Sequence, residues 1–106
     1  MKVVVHVDGG ARGNPGPAAA AAVVSTPDGD LLDEASTTLG TATNNVAEYH
    51  GLLAGLRLHA EHTPDADLEV RMDSKLVVEQ MSGNWRIKHP DLQPLAQQAA
   101  ELAPPG

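Results

Sequence analysis

Residues 6–16 read HVDGGARGNPG, a histidine, a valine and an aspartate running into a stretch rich in glycine. A β-branched run, KVVVHVD over residues 2–8, leads into it. Nearly continuous apolar, β-branched sequence is the signature of a central strand covered on both faces. Four glycines and one proline then fall between residues 9 and 16, so Gly9 to Pro17 reads as a turn stripped of side chains. A carboxylate closing a buried strand beside slim backbone points to an α/β sheet, in which ligands bind outside the carboxyl ends of the strands.

Working outward, AAAAAVVST (18–26) reads as a second strand, although its alanines would tolerate a helix. Pro27-Asp28-Gly29 is a turn signal, with proline fixing φ and glycine allowing a positive one. A mostly polar third strand follows over Leu31–Leu39, placed near a sheet edge. These three strands form an antiparallel meander. Val46, Tyr49, Leu53, Leu56 and Ala60 then recur on one stripe at helical period. Thr43, Asn44 or Asn45 caps that helix, and Pro64 lies beyond its end. Leu68, Val70 and Met72 alternate with Glu69, Arg71 and Asp73, which predicts a fourth strand. Ser74–Met81 reads as a short helix broken by SGNW (82–85), and Asp91–Leu102 as a third helix capped by Asp91. The order is βββαβαα in one α/β domain over residues 1–106, without internal repeats. The closing Ala-Pro-Pro-Gly cannot continue a helix. A sheet that stops on such a helix is expected to be cut, or completed from elsewhere.

Composition narrows the function classes. Apolar residues make up 42% of the chain and aromatics 2%, so a packed core must rest on Val, Leu and Ala. No cysteine is present, which rules out disulfides and thiolate metal sites and suits a reducing, cytoplasmic setting. No run approaches a membrane span, so no membrane partner is expected. A net charge of −7 argues against a module that simply coats nucleic acid; contact with a polyanion must be local or offset by metal ions.

Three carboxylates stand at ends of elements. Asp8 closes the first strand, Glu48 lies in the first turn of the long helix, and Asp73 closes the fourth strand. If strands one and four are neighbours, Asp8 and Asp73 meet at one sheet edge. Clustered carboxylates repel unless a cation neutralises them or one holds a proton. Oxygen ligands without His or Cys suit Mg²⁺ or Mn²⁺, and two such ions roughly 3.5–4 Å apart would serve phosphodiester hydrolysis. Each residue also has a local reading: Asp8 as a turn-starting aspartate, Asn45-x-x-Glu48 as a capping box, and Asp73 or Ser74 as a helix cap.

VDGGARGNPGPAAAAAVV (7–24), TNNVAEYHGLLAGL (43–56) and MDSKLVVEQMSGNW (72–85) resemble, in order and spacing, the three successive motifs of type I ribonuclease H. The resemblance covers residues 2 to about 97 and is closest to the short form that lacks a basic protrusion, which occurs alone or fused to another enzyme domain. It implies a ribonuclease H-like fold with a mixed sheet, three antiparallel strands followed by a parallel one. It also implies a metal-dependent endonuclease that cuts the RNA strand of RNA/DNA hybrids, leaving 5′-phosphate and 3′-hydroxyl ends. Asp8, Glu48 and Asp73 match metal-ligating carboxylates that hold two Mg²⁺, with Mn²⁺ as the substitute. Asn14, Asn44 and Asn45 match positions that contact ribose 2′-hydroxyls, the group that distinguishes RNA from DNA. Thr43 matches a position that holds a DNA-strand phosphate, and Gln80 one along the substrate groove. The resemblance further implies a fifth strand and a final helix carrying a fourth carboxylate, with a mobile histidine before it. Neither Asp91 nor Glu101 matches that carboxylate, so the site is expected to be incomplete and the fold to lack its last strand and helix. A non-catalytic module of the same fold that binds hybrids is the competing expectation, and an oligomer is not implied.

Other residues carry weaker signals. His59 and His62 read as a solvent-facing pair at a helix end, His6 as a packed neutral histidine, and His89 as a loop residue. Trp85 with Arg86 and Lys88 either steers a DNA strand or anchors a helix junction.

Overall fold

The computed structural model describes residues 1–104. The elements are β1 (Lys2–Ala11), β2 (Gly16–Ser25), β3 (Leu31–Ala42), α1 (Asn44–His62), β4 (Asp67–Met72), α2 (Lys75–Met81) and α3 (Gln93–Leu102). The described residues form one mixed sheet in the order β3-β2-β1-β4, with β1 antiparallel to β2, β2 antiparallel to β3, and β4 parallel to β1. The expected α/β class, the element order and the meander with a parallel fourth strand all hold. Of the closing Ala-Pro-Pro-Gly, Ala103 is already extended, while residues 105 and 106 lie outside the described residues.

The alanine run folds as a strand because burial alternates along it. Ala18, Ala20, Ala22 and Val24 are buried while Ala19, Ala21 and Val23 between them are not, the period of a pleated sheet. β3 extends to Ala42, beyond the expected Leu39, because β2 pairs with it as far as Gly16↔Ala42. The turn between β1 and β2 is shorter than Gly9–Pro17. Gly9 and Gly10 stay in the ladder opposite Ala20 and Ala19, so only residues 12–15 form the reversal.

One expectation about β1 needs correction. Val3, Val5 and Val7 pack with Ala22 and Val24 beneath α1, whereas His6 and Asp8 on the opposite face are exposed. The strand is central but its covering is one-sided at this end, because α1 packs on the sheet and α3 packs on α1. His6 is therefore not a packed histidine.

That stacking buries α1 on two sides. Tyr49, Leu52, Leu53 and Leu56 join Val77, Leu92, Ala96 and Ala99 in one core, while Ala47, Gly51 and Gly55 lie against the sheet. The single apolar stripe is accordingly too simple: Ala60 is exposed and His59 is buried, its Nε2–H donating to the Ala66 carbonyl at 2.9 Å. His62 does face solvent, 3.2 Å from Asp33 Oδ2.

The small residues Ala47, Gly51 and Gly55 recur at i, i+4 and i+8 and set how closely the helix approaches. A Cβ at Gly51 would come within 2.7 Å of Val7 Cγ1 and 3.1 Å of the Asp8 carbonyl oxygen, and one at Gly55 would collide with Val5 Cγ1. α3 begins at Gln93 with Pro94 in its first turn and no side-chain cap, not at Asp91. The Asp91 amide instead donates to His89 Nδ1 at 3.1 Å.

Candidate active site

The parallel ladder between β1 and β4 ends at Val7↔Met72. Asp8 and Asp73 are the next residue on each strand, so the two carboxylates stand where the strands part. Asp8 keeps its pairing with Ala21 of β2, which holds its backbone in the sheet. Asp73 precedes Ser74, whose Oγ accepts from the Val77 amide at 3.3 Å and caps α2. The capping role thus falls to Ser74, leaving the Asp73 carboxylate uncommitted to it.

Glu48 reaches the same point from α1. It lies in the second turn of that helix rather than the first, and it makes no capping box. Thr43 is the N-cap, its Oγ1 accepting from the Val46 amide at 3.2 Å. Glu48 Oε1 accepts instead from the Gly9 amide at 3.2 Å. Gly9 permits this approach, since a Cβ there would lie 2.5 Å from the Ala47 carbonyl oxygen and 2.8 Å from the Glu48 nitrogen. The glycine beside Asp8 therefore serves the close passage of α1 and the placement of Glu48.

The electrostatics link the three acids. Burial, above all, pushes the Glu48 carboxyl above its ordinary pKa; the Gly9 hydrogen bond opposes this, and the charges of Asp8 and Asp73 add to it. Among the described residues, Glu48 Oε2 is buried without a hydrogen-bond partner. An orphaned buried carboxylate oxygen is costly unless something satisfies it. Its neighbours here are two further carboxylates, which donate nothing when ionised, so a cation, a proton or a water would satisfy it. The donor set is hard oxygen throughout, which fits Mg²⁺ or Mn²⁺. No three His, Cys, Asp or Glu side chains among the described residues close into a compact chelating group.

Beside the acids, the β1–β2 turn is tied to the start of α1. Asn44 Oδ1 accepts from the Ala11 amide at 2.8 Å, and Asn14 Oδ1 accepts from the Asn44 amide at 3.0 Å. Both amide oxygens are thereby used internally, and the two Nδ2 groups make no hydrogen bond among the described residues. This surface presents donors. Thr43 and Asn45 flank Asn44, both half-buried. Gln80 is placed differently: it is buried, and its Oε1 accepts from Tyr49 Oη at 2.6 Å, inside the core between α1 and α2.

On the other flank, Trp85 is 44% exposed and Lys75 Nζ lies 5.9 Å from its ring centroid. That distance is at the outer limit of a cation–π contact. Arg86 and Lys88 are exposed just beyond. Two contributors escaped sequence reasoning. The Gly9 amide was hidden because a glycine pair beside a strand end resembles a turn. The close passage of α1 had a legible signal in the spacing of Ala47, Gly51 and Gly55.

Comparison with known proteins places this arrangement. The model of the family described as "Reverse transcriptase-like" matches residues 6–104. The bifunctional protein Rv2228c of Mycobacterium tuberculosis is 58% identical over 104 residues; the match takes in 97% of this chain and 28% of that protein. The chain thus spans little more than a quarter of that curated relative. The solved N-terminal RNase H domain of Rv2228c superposes with a TM-score of 0.92 at 55% identity, covering 96% of this chain and 78% of the solved one. RNase H1 from the halophilic archaeon Halobacterium salinarum gives a TM-score of 0.89 at 44% identity, covering 96% of this chain and 76% of that chain. LC11-RNase H1, solved in complex with an RNA/DNA hybrid, gives 0.88 at 41% identity, covering 95% and 75%.

Proposed function

The chain belongs to the ribonuclease H family, and on that premise we propose that it forms the catalytic core of a metal-dependent endonuclease hydrolysing the RNA strand of RNA/DNA hybrids. The observation that supports this reading is that Asp8 and Asp73 follow the last β1–β4 pair while Glu48, with one oxygen buried and unpartnered, feels both of their charges. The relative solved on an RNA/DNA hybrid supports the choice of substrate.

Asp8, Glu48 and Asp73 would hold Mg²⁺, or Mn²⁺ in its place, as two ions with substrate present. Such ions supply neutralisation of the phosphate charge, a more acidic water and stabilisation of the leaving oxygen. The remaining work falls to the chain's own groups. Asn14 and Asn44 donate from Nδ2 to a ribose 2′-hydroxyl oxygen, and Asn45 adds a third amide. Thr43, at the N-terminus of α1, receives a DNA-strand phosphate, where the helix dipole favours an anion. Gln80 acts at one remove, its bond to Tyr49 fixing α2 and with it the position of Asp73. Trp85, Lys75, Arg86 and Lys88 form the flank that meets the DNA strand. In the reaction a water oxygen bonds to phosphorus and gives up a proton to solvent, the P–O3′ bond breaks, and O3′ takes up a proton from solvent. The products are a 5′-phosphate and a 3′-hydroxyl.

Among the described residues no helix is long and apolar enough to cross a membrane. The cysteine-free composition suits work in the cytoplasm. A further domain on the same polypeptide is proposed as a covalent partner, in keeping with the length of the bifunctional relative.

A second reading, a hybrid-binding module without catalysis, is favoured by the open carboxylate group. Incubating end-labelled hybrid with the protein, with and without Mg²⁺, separates them. The endonuclease reading expects internal cuts in the RNA strand only when Mg²⁺ is present, and none in duplex DNA. Binding without cleavage at any divalent-ion concentration would favour the second.

A further inference from the structure

Arg12 is the one side chain of the β1–β2 turn that carries a charge. Of the seven Lys and Arg residues, Lys2 and Arg71 are paired with Glu69. Arg57 stands beside His50, whose pKa is held down first by burial and then by that arginine. Arg12 makes no ion pair among the described residues and is exposed. It is also rigidly based. Its amide donates to the Pro17 carbonyl at 2.8 Å, and a Cβ at Gly16 would collide with the Arg12 carbonyl oxygen. Gly13 follows with φ +85°, a conformation that side chains disfavour. Ala11 and Asn14, on either side, are both bonded to Asn44. The guanidinium therefore projects from backbone fixed relative to the carboxylates. At about 3.3 Å per strand residue, its Cα lies roughly 13 Å along the chain from that of Asp8.

We propose that Arg12 is a substrate-positioning residue that binds a phosphate of the RNA strand, beside the ribose that Asn14 touches. This rests on the hybrid-cleaving reading above and adds the contact that sets register along the strand. The chemistry is specific: the guanidinium fork matches phosphate oxygens and stays charged at any working pH. In a protein with a net charge of −7, an unpaired cation fixed next to the site is where a polyanion gains local attraction.

The test measures binding of a fluorescent RNA/DNA hybrid across a salt series, in the Asp8→Asn background so that the substrate stays uncut. Arg12→Ala is expected to weaken binding about five- to tenfold at low salt and to flatten the slope of log affinity against log salt by about one. Arg12→Lys restores the slope but only part of the affinity. Arg57→Ala, which removes the same charge from α1, leaves the slope unchanged. In the protein with Asp8 intact, Arg12→Ala raises KM and leaves kcat close to wild type. Unchanged affinity and slope in Arg12→Ala overturn the proposal, as does an equal loss in Arg57→Ala, which would mark a net-charge effect. If wild type cleaves hybrid and the Asp8→Asn parent binds it while Arg12→Ala matches that affinity and slope, only this inference falls; a wild type that neither binds nor cleaves hybrid overturns both readings.

Discussion

At the scale of the residue, Glu48 shows how a site can be held at the expense of the fold around it. One oxygen takes the Gly9 amide, while the other is buried with no partner and two aspartates lie nearby. Its raised pKa means that the folded state prefers the protonated form. The stabilisation this represents is present below the unfolded pKa and is lost as pH rises through the folded one. In EDTA, Glu48→Gln should therefore melt higher than wild type at neutral pH, and the gap should close on acidification; thermal melts across pH check this. The same substitution should cost nearly all cleavage. Asp8→Asn should likewise lower the cleavage rate roughly a hundredfold or more while leaving the circular dichroism unchanged, since metal stabilisation is worth several kcal/mol of barrier.

At the scale of the element, α1 works because it lies close. Ala47, Gly51 and Gly55 let it sit on Val5, Val7 and Gly9, and this closeness delivers Glu48 to Asp8. Two effects oppose each other if a glycine is replaced. Gly→Ala inside a helix ordinarily gains about 1 kcal/mol, but a methyl forced into a packed contact costs about 1–3 kcal/mol. At Gly55 the methyl would meet the fully buried Val5, so overpacking should win. Gly55→Ala should lower Tm by several degrees, against the sign that helix propensity alone gives. Calorimetry decides between them. The element scale is also where the sequence was most and least legible. Periodicity placed β4 and α1, because burial imposes those patterns directly, while a continuous apolar run marked β1 and turn or break signals set off the other elements. Boundaries failed where tertiary pairing overrode local preference: Gly9 and Gly10 look like a turn but are held in the ladder by Ala20 and Ala19. Asn45 and Glu48 have capping-box spacing, yet Thr43 takes the cap and the glutamate turns to the Gly9 amide of β1. His59 looked exposed because nothing local announces that α1 is covered on two sides.

At the scale of the whole molecule, an acidic protein proposed to bind a polyanion must bring in cations. With 14 acidic residues against seven basic ones, the carboxylate end should be the place where divalent ions stabilise the fold. A free Mg²⁺ concentration ten times the dissociation constant adds about 1.4 kcal/mol, several degrees in Tm for a domain of this size. That gain should vanish in Glu48→Gln if the acids hold the ion; a retained gain would place the ion elsewhere. The alignment of Asp8 with Asp73 was legible once strands one and four were taken as neighbours. The donor-only surface of Asn14 and Asn44 was not, because it depends on which amide atoms the fold consumes. The most direct measurement of the central claim is cleavage of an end-labelled RNA/DNA hybrid by this chain under a Mg²⁺ titration. The account predicts internal cuts confined to the RNA strand, bearing 5′-phosphates, appearing with Mg²⁺ and lost in Asp8→Asn. Equal cutting by Asp8→Asn, or cutting that is unchanged in EDTA, would contradict it.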